Sequence, residues 1–96
     1  MIEYLLNAIR ATAGKEIGIS AIIEDNGKPI EEGCRVTLFD KDGIFMLTIG
    51  GEYLGDGLWS FKIPAEATQD LRGRYWYRIC SPVESLCFKQ PLYLID

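Results

Sequence analysis

The acidic pairs and the cysteines are the residues that could do chemistry in this chain, because it contains no histidine. Without histidine, Ser-His-Asp and Cys-His catalysis, histidine proton transfer and histidine-containing zinc sites are excluded. Glu31 and Glu32 could act as acid and base only in an apolar pocket, and the stretch around them is polar. We therefore expect no catalytic residue, no cofactor and no enzymatic activity.

The three cysteines are Cys34, Cys80 and Cys87. A zinc site made of cysteines alone normally needs four thiolates, and the spacing of Cys80 and Cys87 is not that of a C-x2-C motif. The first residues lack the basic start of a signal peptide, so we expect three reduced thiols in a protein made in a cytoplasm. A Cys80–Cys87 bridge across a hairpin is the alternative.

Residues 40–43, Asp-Lys-Asp-Gly, are similar to the beginning of an EF-hand calcium loop. The sixth position of such a loop is glycine, whereas this chain has Phe45 there. We interpret residues 40–43 as the turn of a β-hairpin, and we expect no metal site in the chain.

The segment RGRYWYR at residues 72–78 is the unusual surface of the sequence. Alternation places two tyrosines on one face of a strand and Arg74, Trp76 and Arg78 on the other. An indole beside guanidinium groups could stack on a protein, a sugar or a nucleobase. The alternative is a covered face on which arginine lies against tryptophan. A net charge of −4 argues against nucleic acid and anionic membranes as partners.

Period-two alternation predicts the strands that position these residues. Residues 1–12 fit a helix or an edge strand, and we favour the strand. Later strands are predicted at 17–23 (central), 34–39, 44–49, 58–63, 74–79 and 88–95, the last interrupted near Pro91. Turns are predicted at 25–27 and 40–43, and a short loop or bulge around Tyr53 and Leu54. This spacing predicts one all-β domain over residues 1–96, a sandwich of about seven antiparallel strands.

The predicted core centres on Trp59, Phe61, Tyr75 and Ile79. Residues 68–77 follow the order T-x-x-L-x-G-x-Y-x-Y and resemble the tyrosine corner of immunoglobulin-like sandwiches. That resemblance implies an immunoglobulin-like fold, in which the Tyr75 hydroxyl bonds to the backbone of the preceding corner.

A second resemblance covers nearly the whole chain. The segment DNGKPI, a V-x-L-x-D-x-D-G hairpin and GLWSFKIPAEATQDLRGRYWYRI together are similar to small immunoglobulin-like domains of tailed-bacteriophage and prophage virion proteins. Baseplate upper proteins, head fibres and other accessory proteins contain similar segments. The resemblance implies a structural protein, made in the host cytoplasm and assembled into the particle, that docks to other head or tail subunits or to its own copies.

The expected docking residues are Arg74, Trp76 and Arg78, together with Leu5, Leu6 and Ile9 at an unpaired N-terminal edge. The C-terminal segment PLYLID is a second candidate for such an edge. The alternative function is a free-standing binding module that recognises carbohydrate or a cell surface.

Overall fold

The computed structural model describes residues 8–82 and 89–96, and two β-sheets pack face to face in it. The larger sheet has the strand order β1 (Ile9–Thr12), β10 (Lys89–Ile95), β9 (Gly73–Cys80), β5 (Arg35–Phe39) and β6 (Phe45–Gly50). The smaller sheet has the order β2 (Ile17–Ile22), β8 (Leu58–Ile63) and β7 (Glu52–Gly55). A separate hairpin consists of β3 (Glu24–Asp25) and β4 (Lys28–Pro29).

This arrangement confirms the all-β, immunoglobulin-like sandwich. Strands β10, β9 and β5 correspond to G, F and C of that fold, and β6 occupies the position of the extra strand C′. The ladders are antiparallel except that of β1, which runs parallel to β10 and forms one edge of the larger sheet. The predicted edge strand near the N-terminus is therefore confirmed for Ile9–Thr12.

Strand β8 has the alternation that the sequence predicts. Trp59, Phe61 and Ile63 are buried between the sheets, whereas Lys62 on the other face is exposed. The Trp59 indole nitrogen donates a 2.7 Å hydrogen bond to the Ile30 carbonyl, so its one polar atom is satisfied inside the core. Its ring also stacks against that of Phe61, with centroids 6.3 Å apart.

The larger sheet contributes the other half of the core through Val36, Leu38, Tyr77, Leu92 and Leu94. Burial raises the pKa of the Tyr77 hydroxyl above its ordinary value, because the charged phenolate would lose its hydration. Two of the predicted core residues, Tyr75 and Ile79, are half-buried and pack against this cluster.

The two turns predicted from Asn, Asp and Gly are confirmed. Asn26 and Gly27 both have positive φ, at 55° and 78°, which is the geometry of a two-residue type I′ hairpin. In the second turn, one carboxylate oxygen of Asp40 accepts 2.9 Å hydrogen bonds from the backbone of Asp42 and of Ile44. The Asp40 carboxylate therefore holds the hairpin turn between β5 and β6.

The segment around Tyr53 and Leu54, predicted as a short loop or bulge, is strand β7, which pairs with β8 around a bulge at Leu54. Three predictions about strands are wrong. Strand β2 is at an edge of the smaller sheet and not at its centre. Strand β10 continues through Pro91, and it lies between β1 and β9, so the C-terminal segment is not an unpaired edge. The position of a strand in its sheet depends on pairing between segments that are distant in sequence. Alternation within one segment gives no information about that pairing.

The corner between β8 and β9 is held by Thr68 and not by Tyr75. Thr68 is fully buried, and its hydroxyl accepts a 3.1 Å hydrogen bond from the Gly14 amide and donates to the Ala65 carbonyl at 3.5 Å. Among the described residues, no hydrogen bond involves the Tyr75 hydroxyl, whose ring lies 5.9 Å from the Lys41 amine. The tyrosine-corner hydrogen bond implied by the resemblance is therefore absent from the described part of the chain.

Thr68→Val should lower the free energy of unfolding by about 0.5–1.5 kcal/mol, because valine keeps the shape of threonine but bonds neither Gly14 nor Ala65. The matched change Tyr75→Phe should alter it by less than about 0.5 kcal/mol. Urea unfolding followed by tryptophan fluorescence measures both values. A larger cost for Tyr75→Phe than for Thr68→Val would restore the tyrosine corner.

Cys80 forms a disulfide bond, whereas Cys34 is a buried free thiol. The prediction of three reduced thiols is therefore wrong at Cys80, whose partner lies outside the described residues. Burial raises the pKa of the Cys34 thiol, and the nearby Arg35 charge opposes part of that rise.

Denatured, unreduced protein should titrate one thiol per chain with a chromogenic reagent, and three after reduction. Cys34 supplies that thiol, because Cys87 is the remaining cysteine available to pair with Cys80 within the chain. The Cys34→Ser variant is the control and should titrate none before reduction. Three thiols in unreduced protein would contradict the disulfide.

Candidate functional site

The outer face of the larger sheet is the candidate functional site. Strand parity places Arg74, Trp76 and Arg78 of β9 there, because Tyr75, Tyr77 and Ile79 turn to the core. The same parity and the strand register add neighbours from the other strands of the sheet. We call this surface the basic face, and define it by Arg10, Arg35, Phe39, Phe45, Arg74, Trp76, Arg78, Lys89 and Tyr93.

Charge is distributed unevenly between this sheet and the rest of the chain. The five strands of the larger sheet contain five basic residues and no acidic residue. The whole chain has ten basic and fourteen acidic residues, so the remainder carries five basic against fourteen acidic ones. By contrast, the smaller sheet contains one acid, Glu52, and one base, Lys62. An acidic protein thus has one strongly basic sheet.

Aromatic rings position several of these cations. The Arg74 guanidinium lies 5.1 Å from the centre of the Trp76 ring. Phe39 is buried beneath two cations, with Arg78 at 5.1 Å and the Lys89 amine at 4.3 Å from its ring centre. Cation–π contacts at such distances stabilise by about 0.5–1 kcal/mol each at exposed sites. The rings therefore fix the cations in place without neutralising their charge.

Four of the five cations of the basic face have no carboxylate partner within the described residues. No ion pair to Arg10, Arg74, Arg78 or Lys89 occurs there, and the Arg78 Nε atom is buried without a hydrogen-bond partner. Arg78 and Lys89 are also directly opposite one another in the β9–β10 ladder. Like charges in directly opposite positions of a ladder repel one another. The pairing of Arg78 with Lys89 therefore does not stabilise the fold.

Exposed apolar groups and a shallow cavity complete the basic face. Phe45 is 60% exposed and Tyr93 is 37% exposed. The cavity, of about 310 Å³, is lined by Trp76, Lys89 and the turn residues 41–43. Lys89 also donates a 3.3 Å hydrogen bond to the Gly43 carbonyl, which ties the turn to the sheet beside the Trp76 ring.

The structure brings together three of the six predicted docking residues: Arg74, Trp76 and Arg78 share one face of β9. Ile9 is half-buried and packs against the core of its own sandwich, so it is not available as an outward anchor. The predictions for Leu5 and Leu6 lie outside the described residues.

Other strands contribute six residues to this face that were not among the predicted docking residues: Arg10, Arg35, Phe39, Phe45, Lys89 and Tyr93. Arg35 and Phe39 alternate with Val36 and Leu38, so period-two alternation alone assigns them to the outer face of their strand. Alternation does not give the strand order, which places β5 and β10 on either side of β9. The absence of acids from the predicted strands after residue 12 was the available signal.

The described residues contain neither a cluster of metal ligands nor a membrane-spanning helix. No group of three or more cysteine, aspartate or glutamate side chains there could hold a metal ion. Across residues 8–82 and 89–96, no helix is long and apolar enough to span a bilayer.

Comparisons with known proteins give similarity of fold. No known protein family and no curated protein matches the sequence of this chain. Among solved structures, a candidate glycoside hydrolase from Bacteroides vulgatus is similar over 92% of this chain, with a TM-score of 0.56 and 14% sequence identity. A second structure, Dpr2 Ig1–Ig2 in complex with DIP-Theta Ig1–Ig3, is similar over 92% of the chain, with a TM-score of 0.41 and 11% identity.

This chain spans 17% of the first of these structures and 30% of the second. At such low identity, the first similarity shows a shared β-sandwich fold and no shared chemistry. The candidate site therefore rests on the geometry of the basic face.

Proposed function

We propose that this chain is a non-enzymatic docking protein of a tailed-phage particle, and that it joins other virion subunits through the basic face. The observation that carries the docking role is the presence on one sheet of the exposed rings of Phe45 and Tyr93, the half-buried ring of Trp76, and cations that no described carboxylate pairs with, namely Arg10, Arg74, Arg78 and Lys89. Tryptophan, tyrosine and arginine are the residues most enriched among the energetic anchors of protein interfaces. The virion context rests on the sequence resemblance of residues 25–79.

The disulfide at Cys80 agrees with this context. Disulfides persist on virion surfaces and outside cells, and are rare in reducing cytoplasm. In the proposed sequence of events, the chain is made in the host cytoplasm and then enters the particle. The absence of enzymatic activity is part of the proposal, and it is supported by the absence of histidine from the sequence.

The test is incorporation into particles. Purified virions of the phage or prophage that encodes the chain should contain it by mass spectrometry, at a fixed ratio to a head or tail subunit. A Trp76→Ser, Arg74→Ser variant should fold but be depleted from the particles. The control Lys62→Ser, Ser60→Ala changes the outer face of the smaller sheet and should incorporate normally. Equal incorporation of both variants would overturn docking through the basic face.

Carbohydrate recognition is the second candidate, favoured by the cavity beside Trp76. An indole next to the polar groups of Lys89 and Asp42 is a suitable surface for stacking a sugar ring. A glycan array at physiological salt, with the Trp76→Ser variant as the control, separates the two functions. Saturable binding of a neutral glycan that disappears in this variant would favour the carbohydrate module over the virion protein.

A further inference from the structure

The charge of the basic face indicates the chemistry of its partner. The five strands contribute five cations and no acid, while the rest of the chain has a large excess of acidic residues. Salt screens exposed charges beyond roughly 10 Å at 0.1 M. A negatively charged group on the face is therefore attracted locally, whereas a long polyanion that extends past the sheet meets acidic surface.

The size of the face limits the length of such a partner. Neighbouring strands are about 4.8 Å apart, so the five strands span roughly 19 Å. An extended peptide rises about 3.3 Å per residue, and about six of its residues cross the sheet. A short acidic segment of a protein matches this width, and its ends need not contact the acidic remainder of the chain.

The cations are arranged to gain from an added carboxylate. Arg78 and Lys89 repel one another across the β9–β10 ladder while both contact the ring of Phe39. A carboxylate between them would offset that repulsion. Trp76 lies beside Lys89, and Phe45 and Tyr93 on the same face are exposed, so these rings offer apolar contact to neighbouring side chains of the same segment.

We infer that the basic face binds a short acidic segment, interspersed with apolar residues, of another virion protein. This inference deepens the proposed function and rests on it for the identity of the partner as a virion subunit. It adds the chemistry of the partner segment, its approximate length and the cations that recognise it.

The experiment titrates the isotope-labelled chain with two synthetic peptides, octaglutamate and an octamer of alternating glutamate and leucine, and follows backbone amide shifts by NMR. We expect saturable shifts confined to the strands of the larger sheet, tighter binding of the mixed peptide, and weaker binding as salt rises. The double variant Arg10→Glu, Arg74→Glu should bind at least about tenfold more weakly, because it replaces attraction by repulsion at two exposed positions. Its control, Lys15→Glu, Lys62→Glu, makes the same change in net charge away from the face and should bind like the wild type.

Two competing occupants are outcomes of the same experiment. A thymidine octanucleotide that binds more tightly than either peptide, with the same variant dependence, would overturn the inference in favour of nucleic acid. Self-association that the Arg10→Glu, Arg74→Glu variant abolishes would overturn it in favour of a second copy. Equal peptide binding by that variant and its control would also overturn it, since charge on the basic face would then be irrelevant.

The two proposals fail in different ways. If particle incorporation depends on Trp76 and Arg74 but no acidic peptide binds, docking stands and the acidic partner is wrong. If the peptides bind as expected but both incorporation variants enter particles normally, the acidic ligand stands and the virion role of the face is wrong.

Discussion

Phe61→Ala is expected to lower the free energy of unfolding by about 3–5 kcal/mol, the largest effect of any change considered for this chain. Phe61 is completely buried between the two sheets, and its ring stacks on that of Trp59. Alanine would leave a cavity that the strands cannot close, because the β-ladders on either side of β8 fix the backbone. Small domains are stable by about 5–15 kcal/mol in total, so this variant should be near the limit of folding.

Urea unfolding measured by circular dichroism gives the value for Phe61→Ala. Lys62→Ala is the matched control, because Lys62 is the next residue of β8 and faces solvent. It should change the free energy of unfolding by less than about 0.5 kcal/mol. A cost below about 1 kcal/mol for Phe61→Ala would mean that the two sheets do not meet at this ring.

Gly51→Ala should have the second largest effect, a loss of about 1–3 kcal/mol through overpacking. A Cβ atom on Gly51 would overlap Cε1 of Phe61 and lie 2.9 Å from Cε3 of Trp59. The backbone of Gly51 cannot withdraw freely, because its amide donates a 3.1 Å hydrogen bond to the Cys34 carbonyl. The adjacent Gly50 is the control: a Cβ there meets no atom within 4 Å, and Gly50→Ala should be almost neutral.

A double-mutant cycle identifies the cause. If the Phe61 ring is what the added methyl group would displace, the cost of Gly51→Ala should be smaller in a Phe61→Leu background by about 0.5–3 kcal/mol. The free energies of unfolding of the four proteins give this coupling. If Gly51→Ala lowers the free energy of unfolding by the same amount in the Phe61→Leu protein, the loss is caused by the backbone of Gly51 and not by the aromatic cluster.

How far the sequence predicts the fold can be seen at β8 and β9. Their alternation is a local property of the sequence. It correctly assigned Trp59 and Phe61 to the opposite face of β8 from Lys62, and Trp76 to the opposite face of β9 from Tyr77. The turns at Asn26-Gly27 and at Asp40 were also predictable, because a positive φ or a carboxylate that bonds nearby amides involves only a few consecutive residues. In each case the structural cause acts within one segment.

The predictions that failed depend on contacts between distant segments. Tyr75 has the spacing of a corner tyrosine, yet the corner is held by Thr68, which bonds Gly14 across the sandwich. The C-terminal segment PLYLID was a candidate for an unpaired edge, yet β1 pairs with it in parallel. The spacing of neighbouring side chains cannot predict a hydrogen bond between residues 54 positions apart.

The candidate site also combines features that are local to one strand with features that depend on contacts between distant segments. Period-two alternation alone places Arg74, Trp76 and Arg78 on the outer face of one strand, because successive side chains of a strand point to opposite sides. Phe39 and Lys89 lie beside them, and Arg10 shares the same face, because the folded chain has the strand order β1-β10-β9-β5, which alternation does not give. A single strand presents only two arginines and one tryptophan on this face. A surface wide enough to bind another protein needs several strands, and the order of these strands is fixed by burial of the opposite face.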